Sequence, residues 1–286
     1  MVDRSFDESL DTKKVRKYTK KRLKGPSVFS GMKISITLWF IIVNIIIYVV
    51  SIAAVEVYGE DLVSSLFALQ ANLFFSGYVW TLLTSMFLHA NTGHLLANMV
   101  SLFFIGGLVE RIIGRKRFLI FYLLSGLFAG LFYVVLSYYF GFGTLERVFG
   151  SPEIFAVGAS GAIFALAGLL AVLTPFLSVY LIAGPIIAIV IQSIFYAIYP
   201  NSPYLGAIGL LISIYFIFSI FAIFSFNPKI IRLAIPIRMP FWVLPIVAIV
   251  PLVIIGLFVS LPIGNSAHFG GLLAGLIYGS YLLEEP

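Results

Sequence analysis

The sequence predicts an all-α fold in which a bundle of helices crosses a membrane several times. The 286-residue chain is 61% hydrophobic and only 10% charged, and its mean hydropathy is +1.08, which is far from the composition of soluble domains. Several stretches also reach the length of about 20 apolar residues that a helix needs to cross a bilayer. The lipid bilayer is therefore an expected partner.

Apolar stretches between breaking residues predict eight spans. The weakest boundaries lie where Pro175 and the Tyr-Pro-Asn-Ser-Pro stretch at 199–203 are the only breaks in a long apolar region. We expect residues 33–286 to form a single transmembrane domain. The predicted spans are 33–55, 88–109, 117–140, 159–174, 176–199, 203–225, 240–261 and 265–283.

Positively charged residues predict the orientation of these spans. Residues 1–32 form a basic tail, which we expect to be cytoplasmic and to contact anionic lipid, with a specific partner site as the alternative. With eight spans, every other Lys and Arg except Arg147 also falls on the cytoplasmic side. Seven spans would break this agreement, so residues 176–225 are interpreted as an inserted two-helix hairpin. The expected location is the cell membrane, as a multi-pass protein with a cytoplasmic N-terminus.

Residues 57–87 differ from the spans because they are only moderately apolar, rich in aromatic residues and interrupted by Asn72 and Gly77. We expect an outside loop, partly embedded in the membrane, with short helical pieces. Its aromatic side chains are typical of interfacial anchors. A role in guiding a substrate is the alternative.

Composition also limits the chemistry. The chain has no cysteine, which excludes disulfides, thiolate catalysis and cysteine-ligated metals. No His-Glu-x-x-His motif, no pair of Asp within the spans and no charges at mid-membrane depth are present, which disfavours metalloproteases, aspartyl proteases, transporters and channels. The net charge of +6 is concentrated in the tail, so nucleic acid is not an expected partner. We expect no metal and no other cofactor.

One hydroxyl lies within a strongly apolar run, at Ser160 in AVGASGAIFALAG (156–168). It is either a packing residue or a nucleophile, and a serine nucleophile needs a base such as imidazole. His268 is predicted at a similar depth. Because no Asp or Glu is placed to form a third member, a Ser-His dyad is the catalytic interpretation. Small residues at helical spacing predict that the two helices pack closely: Gly161, Ala165 and Gly168 in one, and Ala267, Gly271, Gly275 and Gly279 in the other.

His94 and Asn98 are four residues apart, so they lie on one face of a helix. Two converging donors could stabilise an oxyanion. The alternative is that both side chains bond to neighbouring helices and hold the bundle together.

Four motifs occur in order between about Val79 and Tyr278: WTLLTSMFLHANTGHLLANM, GGLVERIIGRKRF, GASGAIFALAG and AHFGGLLAG. With these motifs the sequence resembles the rhomboid family of intramembrane serine proteases. The resemblance implies a six-helix core with Ser160 as nucleophile and His268 as base. It also implies an oxyanion site formed by His94, Asn98 and the backbone N–H of Ser160.

Further residues match the family pattern in supporting roles. Gly158 and Gly161 flank the nucleophile in a Gly-x-Ser-Gly pattern, and His89 matches a histidine near the active site. Glu110 and Gly114 match a Glu-x-x-x-Gly element that closes the second helix, so the resemblance implies a structural role for both. Gly271 and Gly275 are expected to be structural as well.

Three features depart from the family pattern. Thr81 follows Trp80 where many relatives have a Trp-Arg pair, and Phe164 stands where many relatives place a tyrosine that stacks on the base. Residues 176–225 add a hairpin to the six-helix core. The resemblance implies a serine endopeptidase that cleaves peptide bonds in or near transmembrane helices of membrane-protein substrates. The alternative is a catalytically silent relative that binds membrane-protein clients, as derlin-type proteins are thought to do.

Overall fold

The computed structural model describes residues 35–224, 227–256 and 264–284. These residues form a mostly helical bundle, which confirms the predicted fold class. The basic tail at 1–32 lies outside the described residues. The predicted span 240–261 is described only as far as Gly256.

The described elements follow one another along the chain without long gaps. The helices are α1 (Ile36–Tyr58), α2 (Glu60–Phe67), α3 (Ala71–Phe75), α4 (Thr81–Thr84), α5 (Thr92–Ser101), α6 (Gly107–Ile113), α7 (Arg115–Phe140), α8 (Glu146–Phe149), α9 (Ser160–Leu173), α10 (Ala183–Ile198), α11 (Leu205–Phe224), α12 (Pro228–Leu233), α13 (Leu244–Gly256) and α14 (Asn265–Glu284). The strands are β1 (Ser178–Ile182) and β2 (Pro236–Pro240).

Three helices among the described residues are long and apolar enough to cross a membrane. They are α1, the continuous rod Thr92–Ile113 that joins α5 to α6 through a π-helical turn at Leu102–Gly106, and α7. Each of the eight predicted spans contains a helix, although the helix ends differ from the predicted limits. The number of membrane crossings stays a prediction.

The boundaries predicted for the hairpin at 176–225 were wrong at its start. Residues 178–182 are extended and pair antiparallel with 236–240, from Ser178 opposite Pro240 to Ile182 opposite Pro236. The segment Ser-Val-Tyr-Leu-Ile contains β-branched and aromatic residues, which suit a strand, and the prolines of β2 stand at its two ends, where a strand tolerates them. The helical part, called here the α10–α11 hairpin, therefore begins at Ala183.

The loop between α1 and α5 contains the short helical pieces that the sequence predicts, namely α2, α3, α4 and a 3-10 turn at Ser85–Phe87. It is joined to the chain just before Ser160. Leu69 and Ala156 exchange two backbone hydrogen bonds of 3.0 and 2.7 Å. The amide of Gly158 donates to the carbonyl of Ser85 at 2.8 Å. These bonds fix the approach of the chain to α9.

Helix α9 lies at the centre of the bundle and packs along α14 and α7. Its small residues face those of α14, as their spacing predicts. Gly271 contacts the carbonyl of Gly161, and Gly275 contacts the carbonyl of Ala165. A side chain at either glycine would collide with backbone atoms, so the two helices approach closely only because these positions lack a Cβ atom.

Glu110 joins the start of α1 to α6. Its carboxylate accepts hydrogen bonds from the amides of Ile36 and Thr37 at 2.9 and 2.8 Å and from the Thr37 hydroxyl at 2.7 Å. These amides are among the unsatisfied donors of a helix N-terminus, where a carboxylate is favoured. Gly114, at φ 84°, makes the sharp turn from α6 into α7.

Candidate active site

Ser160 and His268 meet where α9 and α14 begin. Ser160 is the first residue of α9, and His268 lies in the first turn of α14. The Nε2 atom of His268 is 2.8 Å from the Oγ atom of Ser160, although the two residues are 108 positions apart in the chain. The start of α14 is held in place because the Ser266 hydroxyl donates to the carbonyl of Phe149 at 3.1 Å.

Phe164 lies against the imidazole of His268. The two rings stack with centroids 4.4 Å apart and planes 23° apart. Phe164 is one helical turn after Ser160, so the same helix places the hydroxyl at the edge of the imidazole and the phenyl ring on its face. Among the described residues, no carboxylate is hydrogen-bonded to the His268 ring; the stacked Phe164 ring and the Ser160 hydroxyl both contact it.

Gly158 lies between His94 and Ser160. Its φ is +124°, a conformation that L side chains rarely adopt. A Cβ atom at this position would lie 2.8 Å from Cε1 and 2.9 Å from Nε2 of His94, and 3.7 Å from Oγ of Ser160. The imidazole of His94 is thus packed against the backbone next to the serine, and this packing requires glycine at position 158.

Asn98 lies on the same face of α5 as His94 and is buried. Its side-chain amide donates to the carbonyl of His94 at 2.9 Å. This bond uses one of the two N–H donors of the amide, which leaves the second available. The structure thus brings His94 to the serine and places Asn98 one turn further along the helix.

His89 is buried beside His94, and the two rings make an edge-to-face contact with centroids 5.2 Å apart. No hydrogen-bond partner of either His89 ring nitrogen is present among the described residues. His89 therefore contacts the ring of His94, which suits a supporting position.

Sequence reasoning missed Asn91. Its side-chain oxygen caps α5 by accepting a hydrogen bond from the backbone amide of His94 at 2.9 Å. The hydroxyl of the next residue, Thr92, is 3.0 Å from the hydroxyl of Tyr48 on α1. An asparagine three residues before His94 is a typical N-cap signal. The first turn of α5, which carries His94, is thus fixed from both sides.

Thr81 and Trp80, where the sequence departs from the family pattern, bond within the loop. The Thr81 hydroxyl donates to the carbonyl of Tyr78 at 2.6 Å, and the Trp80 indole donates to the carbonyl of Leu66 at 2.8 Å. Neither side chain points its polar group at Ser160.

The geometry has the parts of an acyl-transfer site. The Ser160 hydroxyl is hydrogen-bonded to the imidazole of His268. Helix α9 begins at Ser160, so backbone N–H groups that have no partner within the helix lie beside this hydroxyl. The imidazole of His94 lies alongside. In the part of the chain that the structure describes, no group of three or more His, Asp or Glu side chains is arranged to hold a metal ion.

Comparison with known proteins finds similarity to rhomboid proteins over most of the chain. The Rhomboid domain model matches residues 76–190 and 174–285. RHOMBOID-like protein 1 from Arabidopsis thaliana is 41% identical over 90 residues, which is 32% of this chain and 20% of the relative. The rhomboid protease AarA from Providencia stuartii is 33% identical over 152 residues, 51% of this chain and 53% of the relative. The rhomboid protease GluP from Bacillus subtilis is 32% identical over 137 residues, 48% of this chain and 27% of the relative.

These matches span about half of the length of the curated relatives or less. The family model, in contrast, covers both segments that contribute to the site, with Ser160 in the first and His268 in the second. Helices long and apolar enough to cross a bilayer accompany these segments. The chain is an integral membrane protein that belongs to the rhomboid family.

Proposed function

We propose that the protein is an intramembrane serine endopeptidase that cleaves peptide bonds in or near transmembrane helices of membrane-protein substrates. The observation that carries the proposal is the hydrogen bond of 2.8 Å between Ser160 Oγ and His268 Nε2, where two packed helices begin side by side. Membership of a family whose relatives include named proteases supports it.

The chemistry is acyl transfer. Nε2 of neutral His268 takes the proton of the Ser160 hydroxyl while Oγ bonds to the scissile carbonyl carbon. The tetrahedral intermediate then collapses, the peptide C–N bond breaks, and the proton on Nε2 passes to the leaving amine. In the second half, a water molecule gives one proton to Nε2 of His268 while its oxygen bonds to the ester carbonyl carbon. The bond between that carbon and Oγ then breaks, and Nε2 returns the proton to Oγ. The serine hydroxyl is restored, and the new carboxylic acid leaves and ionises to a carboxylate.

The oxyanion forms next to Ser160 and needs donors preorganised around it. The backbone N–H of Ser160, the imidazole of His94 and the second N–H of the Asn98 amide are the candidates. The close packing of His94 against Gly158 favours its ring, and the helix N-terminus adds a partial positive charge at the same place. Asn98→Ala should lower turnover about 10² to 10³-fold if Asn98 is such a donor.

The expected substrate is a transmembrane helix with small or helix-destabilising residues near the membrane surface, because a helical carbonyl is already bonded and must be released before it can be attacked. We also propose that the protein is in the cell membrane with its N-terminus in the cytoplasm, as the distribution of Lys and Arg favours.

The test is cleavage of a single-span reporter protein by the purified enzyme in liposomes. Wild type should cut the reporter, and Ser160→Ala and His268→Ala should not. Folding of both variants is checked by thermal unfolding in detergent. A folded wild type that binds several membrane-protein reporters but cuts none of them would replace the proposal with the client-binding alternative.

A further inference from the structure

An apolar groove of about 300 Å³ runs between the first turns of α1 and α7. It is lined by Ile36, Trp39, Phe40 and Val43 of α1 and by Leu119 of α7. The four residues of α1 follow the helical spacing i, i+3, i+4 and i+7, so they form one face of the helix. That face is about 10 Å long. The groove therefore lies along the helices, at the end of the bundle where both of them begin.

The groove has an aromatic floor and two exposed rims. Phe40 is buried and stacks on the ring of Tyr122 in α7, with centroids 4.1 Å apart. Trp39 and Leu119 form the rims and are 52% and 37% exposed. Both helices are long and apolar enough to cross a membrane, so these rims face lipid. The groove has the shape and the apolar walls that suit one acyl chain lying parallel to the helices.

Two basic side chains lie at the end of the groove where α7 begins. Arg115 and Lys116 precede Leu119 by four and three residues, so they lie on the same side of α7, one turn nearer its start. Both are exposed. The Nε atom of Arg115 is 3.9 Å from Oε1 of Glu110, and the same oxygen accepts the amide of Ile36 at 2.9 Å. Arg115 is thus located beside the first residue of the groove.

This end of the groove carries a net positive charge. The Glu110 carboxylate already accepts three hydrogen bonds from Ile36 and Thr37, and its side chain is only 8% exposed. The Arg115 side chain is 45% exposed, and a guanidinium offers five donors in a planar fork that matches a phosphate. Arg115 and Lys116 together outweigh the one buried carboxylate. Their charge is complementary to that of a phosphodiester.

The position of Trp39 indicates that this end lies at the depth of the lipid headgroups. Tryptophan is enriched where the hydrocarbon meets the headgroups, and Trp39 lies one turn inside Ile36. A lipid whose chain follows the groove therefore brings its phosphate to Arg115 and Lys116. The distribution of Lys and Arg favours the cytoplasmic leaflet for this end, which is the leaflet that holds anionic lipids.

We infer that the groove between α1 and α7 binds one anionic phospholipid, with an acyl chain against Phe40 and Leu119 and the phosphate at Arg115 and Lys116. The chain alone gives little preference for one lipid, because the surrounding lipid tails are as apolar as the groove. The headgroup supplies the selectivity. Phosphatidylglycerol carries a net negative charge, whereas the choline cation of phosphatidylcholine cancels the charge of its phosphate and is repelled by the two basic side chains.

The first test measures the lipid preference at Trp39 itself. The chain has three tryptophans, and the variant Trp80→Phe/Trp242→Phe keeps only Trp39. This protein is placed in liposomes of phosphatidylcholine with brominated acyl chains, which quench tryptophan fluorescence. Unbrominated phosphatidylglycerol should restore the fluorescence several-fold more effectively than unbrominated phosphatidylcholine at the same mole fraction. Equal recovery with the two lipids would overturn the inference.

Charge variants in the same background test the two basic residues. Arg115→Gln/Lys116→Gln should abolish the preference, and the matched control Lys229→Gln/Arg232→Gln, which removes two exposed cations from α12, should keep it. Lys116→Gln alone leaves the contact between Arg115 and Glu110 in place and should weaken the preference, so the test does not depend on the folding of the double variant. An unchanged preference in these Arg115 and Lys116 variants would contradict the assignment.

A third comparison separates the groove from a general attraction of anionic lipid to a basic surface. Val43→Phe fills part of the groove and leaves the charge unchanged. The matched control, Val50→Phe, places the same ring two turns further along α1, at a position that is 60% exposed and outside the groove. Val43→Phe should lose the preference and Val50→Phe should keep it. A preference retained by Val43→Phe would show that charge alone attracts the lipid and that the groove is not its site.

Thermal unfolding in a neutral detergent gives an independent measurement. A lipid that binds only the folded protein stabilises it, so phosphatidylglycerol should raise the Tm of wild type by more than phosphatidylcholine does, and Lys116→Gln should reduce the difference. Equal shifts with both lipids would also contradict the inference. Neither measurement involves Ser160. A protein without protease activity would leave this inference standing, and failure of both lipid tests would leave the proposed protease function standing.

Discussion

Replacing Gly158 by alanine tests how the site depends on one backbone position. The new Cβ atom would lie 2.8 Å from Cε1 of His94, whereas non-bonded carbons rest at about 3.5 to 4.0 Å. The imidazole therefore has to retreat by about 0.7 Å or more to restore van der Waals contact. A displacement of about 1 Å in an active site can cost about 10²-fold in rate, so reporter cleavage should fall by that order.

The backbone contributes a separate cost, because a non-glycine residue at φ +124° is strained by about 1 to 3 kcal/mol. Gly77→Ala is the matched control: Gly77 also has a positive φ, of 111°, but no atom lies within 4 Å of its would-be Cβ. Thermal unfolding and reporter cleavage are measured for both variants. Both should lose stability, Gly158→Ala at least as much as Gly77→Ala because of its added contact with His94, and only Gly158→Ala should lose most of its activity. Cleavage by Gly158→Ala within about twofold of wild type would refute the argument, since a displaced His94 predicts a much larger loss.

Three further predictions concern contacts around the site. Phe164→Ala removes a ring stack worth about 0.5 to 1.5 kcal/mol, so turnover should fall by up to about tenfold while Phe164→Tyr stays near wild type; equal turnover of the alanine variant would show that the stack does not orient His268. Glu110→Ala leaves the amides of Ile36 and Thr37 without their charged acceptor, and unfolding followed by tryptophan fluorescence should show that the free energy of unfolding falls by about 1 to 3 kcal/mol. An unchanged transition would contradict this assignment. Gly275→Val forces α14 away from the backbone of α9 and should reduce both stability and the labelling of Ser160 by a fluorophosphonate. The control Gly107→Ala, at a position with open space around it, should change neither. Normal labelling of the valine variant would show that the close approach of the two helices is dispensable.

The parts of the fold that follow from hydropathy and small-residue spacing could be predicted from the sequence. The long apolar segments became helices, and the glycines of α14 did meet the carbonyl groups of α9. This works because the bilayer leaves helices as the main way to satisfy backbone groups, and because a row of small residues is the main way to bring two helices close.

The β1–β2 ribbon was missed for a physical reason. Residues 178–182 are as apolar as the helix that follows them, so hydropathy does not separate the two. The strand is determined by its pairing with 236–240, a partner that is remote in sequence and that no local pattern indicates. The packing of the Phe216 ring in α11 against Gly93 in α5 likewise joins residues that are remote in sequence, and no local pattern indicates it.

At the site, the sequence indicated which residues carry chemistry but not how the supporting residues hold them. His94 and Asn98 were placed on one face of a helix by their spacing alone. The bond from Asn98 to the carbonyl of His94 and the cap formed by Asn91 depend on side-chain rotamers, which a residue pattern does not specify. The stacking of Phe164 on His268 requires both helices to be in place.

The most direct test of the central claim is whether Ser160 is an activated nucleophile. Purified protein in detergent is treated with a fluorophosphonate, and the modified peptide is identified by mass spectrometry for wild type, Ser160→Ala and His268→Ala. The account predicts a single adduct on Ser160 in wild type and none in either variant. A folded wild type that gains no adduct, or one whose Ser160 is labelled equally well without His268, would contradict it.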